Sequence, residues 1–489
     1  MVTIDEITEI IRYTKTIQND YSLLLKQCEL FESVLASLDI NSDFAKYIII
    51  EKALAEYSEF VYPFDRYIEI QYQYASNLLY KSSNYTECLD IFTKLLLIPT
   101  LEQHHKYFNI LIDIGSLYSI LGQMDRAKVY FLKAQKLTDN NWQKTFRVLA
   151  KQANLLYKEN KHFEALSLLE SLLENTETID SNTIAGVCLT IGTLYSRFQD
   201  SQKAIDYFVK ADLLRDPNNT EFAFVLKNNL GNLYSRMYDL DLSASYYVQS
   251  LQIALKTEKL DYIVGSYISL SSLEIQRENL KEARVLLETA CKYVVNLPKT
   301  SVTPHLYERL AFVYVTSDEE HLLQKSKELL DYSISVCNDL QLNDVLASTY
   351  WVYSLYYKRQ SNSETQLHYL LDSHKLSLQI NSNYMVFFTA LELSSFFILH
   401  KENVTARTYL EISEKLFEQL HKGYQENHFL LLYLVKSELA MLENRFDDSK
   451  MYFDAITTMG KKSNDKEFQT RLKAIQLQLN IQNSKSLPT

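Results

Sequence analysis

Hydrophobic and small residues recur along this chain at a fixed distance, in segments whose spacing is typical of amphipathic α-helices. The run LGNLYSRM begins at Leu230, and IGTLYSRF from Ile191 and IGSLYSIL from Ile114 repeat its glycine and the tyrosine three residues later. A second helical stretch follows each run, with a small residue twelve positions after the glycine. The pattern predicts repeated pairs of helices, here called helix A and helix B.

The register extends over ten such units, in which the matching helix B position recurs every 38 to 43 residues. Small side chains at Gly231 and Ser243 are expected to let the two helices approach closely, while Tyr234 and Tyr247 fill the space beside them. Tyr246 is expected to pack between units. The helix B positions, of which the eighth is the weakest match, are Cys88, Ala127, Ala165, Ala204, Ser243, Ala283, Ser326, Gln366, Ala406 and Ser449.

The first forty residues carry apolar positions on a four-three spacing, which is typical of a helix that packs along another helix. Thr3 and Glu6 have the spacing of a capping box, and Asn19-Asp20 is a candidate break. Two interpretations fit this pattern. The segment is either a cap that lies along the first repeats or a coiled coil that makes a homodimer.

Near the other end of the chain, residues 465–480 repeat the apolar spacing. We interpret this segment as a helix that covers the last unit, with a coiled coil leading to an output domain as the alternative. The sequence therefore predicts three parts: cap or dimerisation helices in 1–64, repeats in 65–460, and a capping helix with a polar tail in 461–489.

Composition narrows the class of protein. Only eight of the 489 residues are glycine, which favours a chain that is nearly all helix, and the formal net charge of −11 argues against binding nucleic acid. The acidic start lacks the features of a secretory signal, and no apolar run reaches membrane-spanning length. We expect a cytoplasmic protein without a membrane partner.

Residue patterns that carry enzyme chemistry are missing from the sequence. No glycine-rich phosphate loop, nucleophile elbow or HExxH zinc motif occurs, so we predict no catalytic residue, cofactor or metal site. His104 and His105 are adjacent in a predicted helix and are expected on the solvated surface. The five widely spaced cysteines predict reduced thiols, mostly in the core.

The repeat resembles the tetratricopeptide repeat family, whose Leu-Gly-x-x-Tyr in helix A is present as Leu230, Gly231 and Tyr234. Two features depart from the family pattern: its early tryptophan is absent, and the period is near 40 rather than 34 residues. The longer units resemble those of Leu-Gly-Asn-type adaptors, bacterial peptide-pheromone receptors and sensor domains of bacterial regulators. The resemblance implies an all-α, right-handed superhelical solenoid of about ten repeats with helical caps.

The resemblance also implies that a ligand lies in a concave groove lined by helix A. Polar residues recur there at aligned positions, although such residues are also common on any solvated helix face. Asparagine suits a peptide backbone and arginine a carboxylate, which favours a peptide or protein ligand of acidic character. The candidate site residues are Asn154, Lys158, Thr193, Ser196, Arg197, Asn228, Asn232, Ser235 and Arg236.

These features predict a non-enzymatic regulatory or sensory adaptor that binds a peptide or protein segment in intracellular signalling. One alternative is the N-terminal sensory region of a larger bacterial signalling protein, with a transcription regulator or nucleotide cyclase as its output. A second alternative is a phosphatase of the Rap kind, which resembles this architecture but uses an N-terminal helical bundle. No motif in the sequence supports transferring that enzyme's catalytic residue.

Overall fold

The structure, a computed structural model, describes residues 3–485 except 39, 41–42, 83, 160, 199, 296, 298–299, 301, 421 and 460–465. Within these residues it contains 24 α-helices and no strand, which confirms the all-α prediction. Four helices lie at the ends of the chain: α1 (Ile4–Thr16), α2 (Tyr21–Ser37), α3 (Phe44–Val61) and α24 (Lys466–Lys485).

The remaining helices of the described chain form ten consecutive A and B pairs, in agreement with the predicted ten units. The pairs are α4 (Phe64–Asn77) with α5 (Tyr85–Leu96), α6 (Tyr107–Ile120) with α7 (Met124–Gln135), α8 (Trp142–Lys158) with α9 (His162–Leu172), α10 (Ser181–Arg197) with α11 (Ser201–Leu214), α12 (Thr220–Arg236) with α13 (Leu240–Thr257), α14 (Leu260–Gln276) with α15 (Leu280–Val294), α16 (Val302–Thr316) with α17 (Glu320–Leu340), α18 (Asn343–Arg359) with α19 (Ser363–Gln379), α20 (Asn383–Leu399) with α21 (Asn403–Phe417), and α22 (Lys422–Leu442) with α23 (Phe446–Thr458).

By residue contacts the chain divides into two compact bodies, here called unit 1 and unit 2, each of which contains several of the repeated helix pairs. Unit 1 comprises the described residues up to Thr190 together with Leu214–Thr220 and Ile253–Asp261, and unit 2 comprises Ile191–Leu213, Glu221–Gln252 and the described residues from Tyr262 onward. The predicted three-part division of the chain stays a prediction, and its boundary at 460–461 lies outside the described residues.

The helices before the first pair belong to unit 1. Thr3 and Glu6 form the predicted capping box, in which each side chain accepts a hydrogen bond from the other residue's backbone N–H. The chain breaks after α1, and Asp20 caps α2 by accepting a hydrogen bond from the Leu23 N–H. Cys28 and Phe31 of α2 are buried in the same core as α3 and α4. Several of the apolar residues on the four-three spacing are therefore buried against other helices of this chain. A homodimer formed through them stays a prediction.

Glycine allows the close contact between helices A and B that the repeat pattern predicts. A Cβ atom built on Gly231 would lie 2.5 Å from Cδ1 and Cε1 of Tyr247, a separation that real Cβ atoms do not adopt. In the same pair, the Ser243 hydroxyl donates to the Gly231 carbonyl at 2.9 Å. Gly192 meets Phe208 in the same way at 2.7 Å. The small residues are therefore required by packing and carry no information about a ligand.

The signature tyrosine of helix A stacks on a tyrosine of its own helix B. The ring centroids of Tyr234 and Tyr246 are 5.5 Å apart with nearly parallel planes, and Tyr118 stacks on Tyr130 at the same distance in an earlier unit. The expectation that Tyr246 packs between units is wrong. Its ring faces α12 because Tyr246 lies three residues after Ser243, on the side of α13 that meets helix A.

The C-terminal helix α24 packs within unit 2. Phe468, Ile475 and Leu479 are buried against Leu430 and Leu434 of α22, in a cluster that also includes residues of α23. This arrangement agrees with the interpretation of the segment as a cover for the last unit. No helix in the described part of the chain is both long enough and apolar enough to cross a membrane.

The cysteines are thiols, and all except the half-buried Cys291 are buried. Burial raises the pKa of Cys28 and of Cys291 to about 11, and that of Cys337 to about 12. For Cys28 and Cys291 this lowers the thiolate fraction roughly hundredfold at neutral pH. We expect iodoacetamide at about pH 8 to modify the native protein slowly and the unfolded protein rapidly. Equal rates, measured by mass spectrometry, would contradict the buried positions.

Candidate functional site

The predicted ligand-binding residues lie in helices A of both units, and within each helix they share one side, here called the A-face. In unit 2, the Asn228 Oδ1 atom accepts a hydrogen bond at 3.0 Å from the hydroxyl of Ser269 on α14. The Asn232 Oδ1 atom accepts one at 2.7 Å from the hydroxyl of Tyr247, the ring that packs on Gly231. Each asparagine is thus oriented by a hydroxyl of a neighbouring helix.

Further hydrogen bonds join the A-face residues of adjacent helices in unit 2. The Arg236 guanidinium donates to the Ser196 hydroxyl at 3.2 Å, which brings it to α10 beside the exposed Arg197. The buried Ser235 hydroxyl donates to the Gln276 side chain at 3.0 Å. Thr193, also on the predicted surface, accepts at 3.1 Å from Asn229, which the sequence did not single out.

The same arrangement occurs in unit 1. The Asn154 Oδ1 atom accepts from the Thr190 hydroxyl at 3.2 Å, and the Lys158 ammonium donates to the Ser119 carbonyl oxygen at 2.8 Å. Burial, followed by the positive charge of Lys151, lowers the pKa of Lys158 to about 8. Lys158 therefore loses its proton at a lower pH than an ordinary lysine does.

Most of the predicted residues already form hydrogen bonds between consecutive repeats. Fewer of their polar groups are therefore available to a ligand than the sequence suggested. One set of groups remains open to a ligand. Within the described part of the chain, the Nδ2 atoms of Asn154, Asn228 and Asn232 make no hydrogen bond. Fixing the oxygen of each amide leaves its N–H donors preoriented for an acceptor such as a peptide carbonyl.

Unit 1 also contains a buried carboxylate that sequence reasoning missed. Asp113 accepts hydrogen bonds from the hydroxyls of Tyr72 at 2.9 Å and Tyr80 at 2.6 Å. Burial raises the pKa of Asp113, although both tyrosines and the positive charges of Lys151 and Arg147 oppose this rise. The two hydroxyls hold the carboxylate in place on α6.

Cations of α8 lie around this carboxylate. The Arg147 guanidinium donates to Asn109 at 3.0 Å and lies over the ring of Phe108. Burial lowers the pKa of Lys151, and the neighbouring Asp113 charge only partly restores it. The sequence did contain a signal for this cluster, since Asp113 and Lys151 both stand two residues before the small residue of their helix A.

Among the residues that the structure describes, no group of three or more histidine, cysteine, aspartate and glutamate side chains is placed so that it could hold a metal ion. The expectation that His104 and His105 both lie on the solvated surface of a helix is wrong for His104. This residue is buried and follows a short 3-10 turn, Leu101–Gln103, and its ring centroid is 4.4 Å from that of His105.

Comparison with known proteins supports the helical-repeat assignment. A family model described as tetratricopeptide repeat matches residues 108–141, which cover α7 and all of α6 except its first residue. The response regulator aspartate phosphatase A of Bacillus subtilis (strain 168) is 26% identical over 164 residues, which form 32% of this chain and 43% of that protein. The match therefore spans less than half of the relative's length.

Solved structures give a similar result. A Rap protein complexed with competence and sporulation factor has a TM-score of 0.51 at 13% identity, with 73% of this chain and 99% of that chain covered. The apo form of the quorum sensor NprR from B. thuringiensis has a TM-score of 0.47 at 16% identity, with 71% and 97% covered. At this identity, the likeness to the Rap protein shows the fold alone.

Proposed function

We propose that the chain, which resembles tetratricopeptide-repeat proteins, is a non-enzymatic cytoplasmic regulator that binds a peptide or protein segment on its A-face. The observation that carries this proposal is the set of preoriented asparagine amides. Asn228 and Asn232 lie four residues apart on α12, so both point to the same side of the helix. Their N–H donors suit successive carbonyl groups of a bound backbone.

Charge favours a ligand that carries an acidic group. The Arg236 guanidinium donates a hydrogen bond to Ser196 of α10, and the exposed Arg197 directly follows Ser196 in the sequence. Guanidinium groups bind carboxylates through paired hydrogen bonds. The Rap protein of similar fold is complexed with a factor, which supports a binding role for such a fold.

Replacing Asn232 and Arg236 together by alanine should weaken binding at least roughly tenfold, since hydrogen bonds to charged groups are among the strongest polar contacts. The ligand would first be selected from random peptides on immobilised wild-type protein, and its affinity then measured by titration calorimetry. Lys256→Ala, at an exposed position of α13, is the control, and we expect it to leave the affinity unchanged. Full affinity in the double variant would refute this site.

The B. subtilis relative is named a phosphatase, so a catalytic role has its own test. Purified protein would be incubated with a response regulator phosphorylated on aspartate, and phosphate release would be measured. We expect the spontaneous hydrolysis rate. Accelerated release would instead support the phosphatase alternative, and a reading frame that continues past Thr489 into an output domain would support the sensory-region alternative.

A further inference from the structure

The C-terminal helix α24 occupies a polar part of the A-face in unit 2. Ser395 of α20 and Glu438 of α22 each directly follow the small residue of their helix A, the position that Asn232 holds in α12. Arg471 of α24 contacts both residues. It donates to the Ser395 hydroxyl at 3.2 Å and to the two carboxylate oxygens of Glu438 at 2.8 Å and 2.5 Å.

We propose that the A-face of α18, α20 and α22 is a helix-binding surface from which α24 is displaced by a partner, namely an amphipathic helix that carries a glutamate and an arginine one turn apart. The predicted site residues lie on α8, α10 and α12. This inference therefore goes beyond the proposed function and does not depend on it. While α24 is in place, the surface is closed to such a partner.

A second ion pair fixes the direction in which a helix lies on this surface. Glu467, one turn before Arg471, pairs at 2.6 Å with Lys358 of α18, which holds the position of Ser235 in α12. The surface thus offers a cation on α18 and an anion, Glu438, on α22. A helix bound in the reverse direction would place its glutamate against Glu438, and like charges disfavour that arrangement.

The surface requires a cation at the position of Arg471. The Glu438 side chain is only 17% exposed, and its carboxylate accepts hydrogen bonds from Arg471. Burial lowers the pKa of Arg471, but the hydrogen bond and charge of Glu438, followed by the charges of Glu392 and Glu467, raise it overall. Removing the guanidinium would leave Glu438 as a largely buried carboxylate without this counterion, which is costly. The preference for a basic side chain is therefore a property of the surface itself.

Apolar contacts hold α24 less extensively than they hold a helix of the repeats. In the described part of α24 the buried side chains are Phe468, Ile475 and Leu479, whereas nine residues of α20 are buried. So short an apolar contact offsets little of the conformational entropy that is lost when a helix of 20 residues is held in place. The two ion pairs therefore decide whether α24 stays, and a competing helix needs the same pattern of charges to replace it.

Exchanging the charges of Arg471 and Glu438 tests this surface on the whole chain. Arg471→Glu places a like charge against Glu438, so we expect α24 to leave and the surface to open. A fluorescently labelled synthetic peptide of residues 466–485 should then bind this variant at least roughly tenfold more tightly than it binds the wild type, as measured by fluorescence anisotropy. The same peptide with Lys473→Glu, a change at an exposed position of α24, is the control and should bind as tightly.

The reciprocal pair covers the case in which Arg471→Glu misfolds. Glu438→Arg should bind the peptide that carries Arg471→Glu and reject the wild-type peptide. The variant with both exchanges should hold its own α24 and bind both peptides weakly. Binding of both peptides to both single variants would overturn the surface, and so would the absence of binding to either of them. The selection of ligands from random peptides tests the proposed function separately.

Discussion

Gly231→Leu should destabilise the α12–α13 pair by about 1–3 kcal/mol, the usual effect of overpacking a filled core. Even the Cβ atom would overlap the Tyr247 ring. The ring is 3% exposed and its hydroxyl is hydrogen-bonded to Asn232, so it cannot swing aside without breaking that bond. Hydrogen exchange of the peptides that cover both helices measures the change locally, which suits a repeat protein whose units open separately.

Gly265→Ala is the matched control, in the helix A of the next repeat. Gly265 also lies inside a helix A, but a Cβ atom there would meet nothing within 4 Å. We expect this variant to stabilise α14 by about 1 kcal/mol, because alanine is the better helix former. Unchanged exchange in Gly231→Leu, or destabilisation by Gly265→Ala, would contradict the packing described here.

Arg471→Met should release the C-terminal helix from unit 2 at a cost of about 1.5–3 kcal/mol, the range for hydrogen bonds to charged groups. Arg471 of α24 donates from Nε at 2.8 Å and from a terminal nitrogen at 2.5 Å to the two oxygens of Glu438 on α22. Burial lowers the pKa of Arg471, but the hydrogen bond and charge of Glu438 outweigh it and raise the pKa overall. The pair is therefore a net attraction.

A double-mutant cycle separates this attraction from general packing. Glu438→Met alone leaves Arg471 without its main partner, whereas the double methionine variant leaves neither charge buried. We expect the double variant to be less destabilised than the sum of the two single variants, as measured by hydrogen exchange over 466–485. Additive effects would mean that the hydrogen-bonded pair does not hold α24 in place.

The same contacts connect the C-terminal helix to the A-face. Arg471 also donates to Ser395 of α20 at 3.2 Å, and Glu467 pairs with Lys358 of α18 at 2.6 Å. Ser395 and Glu438 each follow the small residue of their helix A, the register position that Asn154 and Asn232 hold in earlier units. Polar groups at this position thus bind an arginine of the chain itself, which illustrates the kind of side-chain contact proposed for a ligand.

The sequence by itself determined the helix pairs, their number and their register. Two helices can approach only where side chains are small, so Gly231, Ser243 and their counterparts had to recur at fixed distances. The weak unit at Gln366 also keeps the register, because Leu370 and Ser373 are buried where the pattern places an aromatic and a small residue. These requirements are local to one helix pair, and a single sequence displays them.

Only the tertiary structure decided what the polar residues of the A-face contact. Their partners lie 36 to 41 residues away on the helix A of the next repeat, or across the pair as with Tyr247 and Asn232. The offset between neighbouring helices determines which hydroxyl reaches which amide, and composition does not encode that offset. For the same reason the grouping of Asp113 with Tyr72, Tyr80 and Lys151 appears only when three consecutive repeats are stacked.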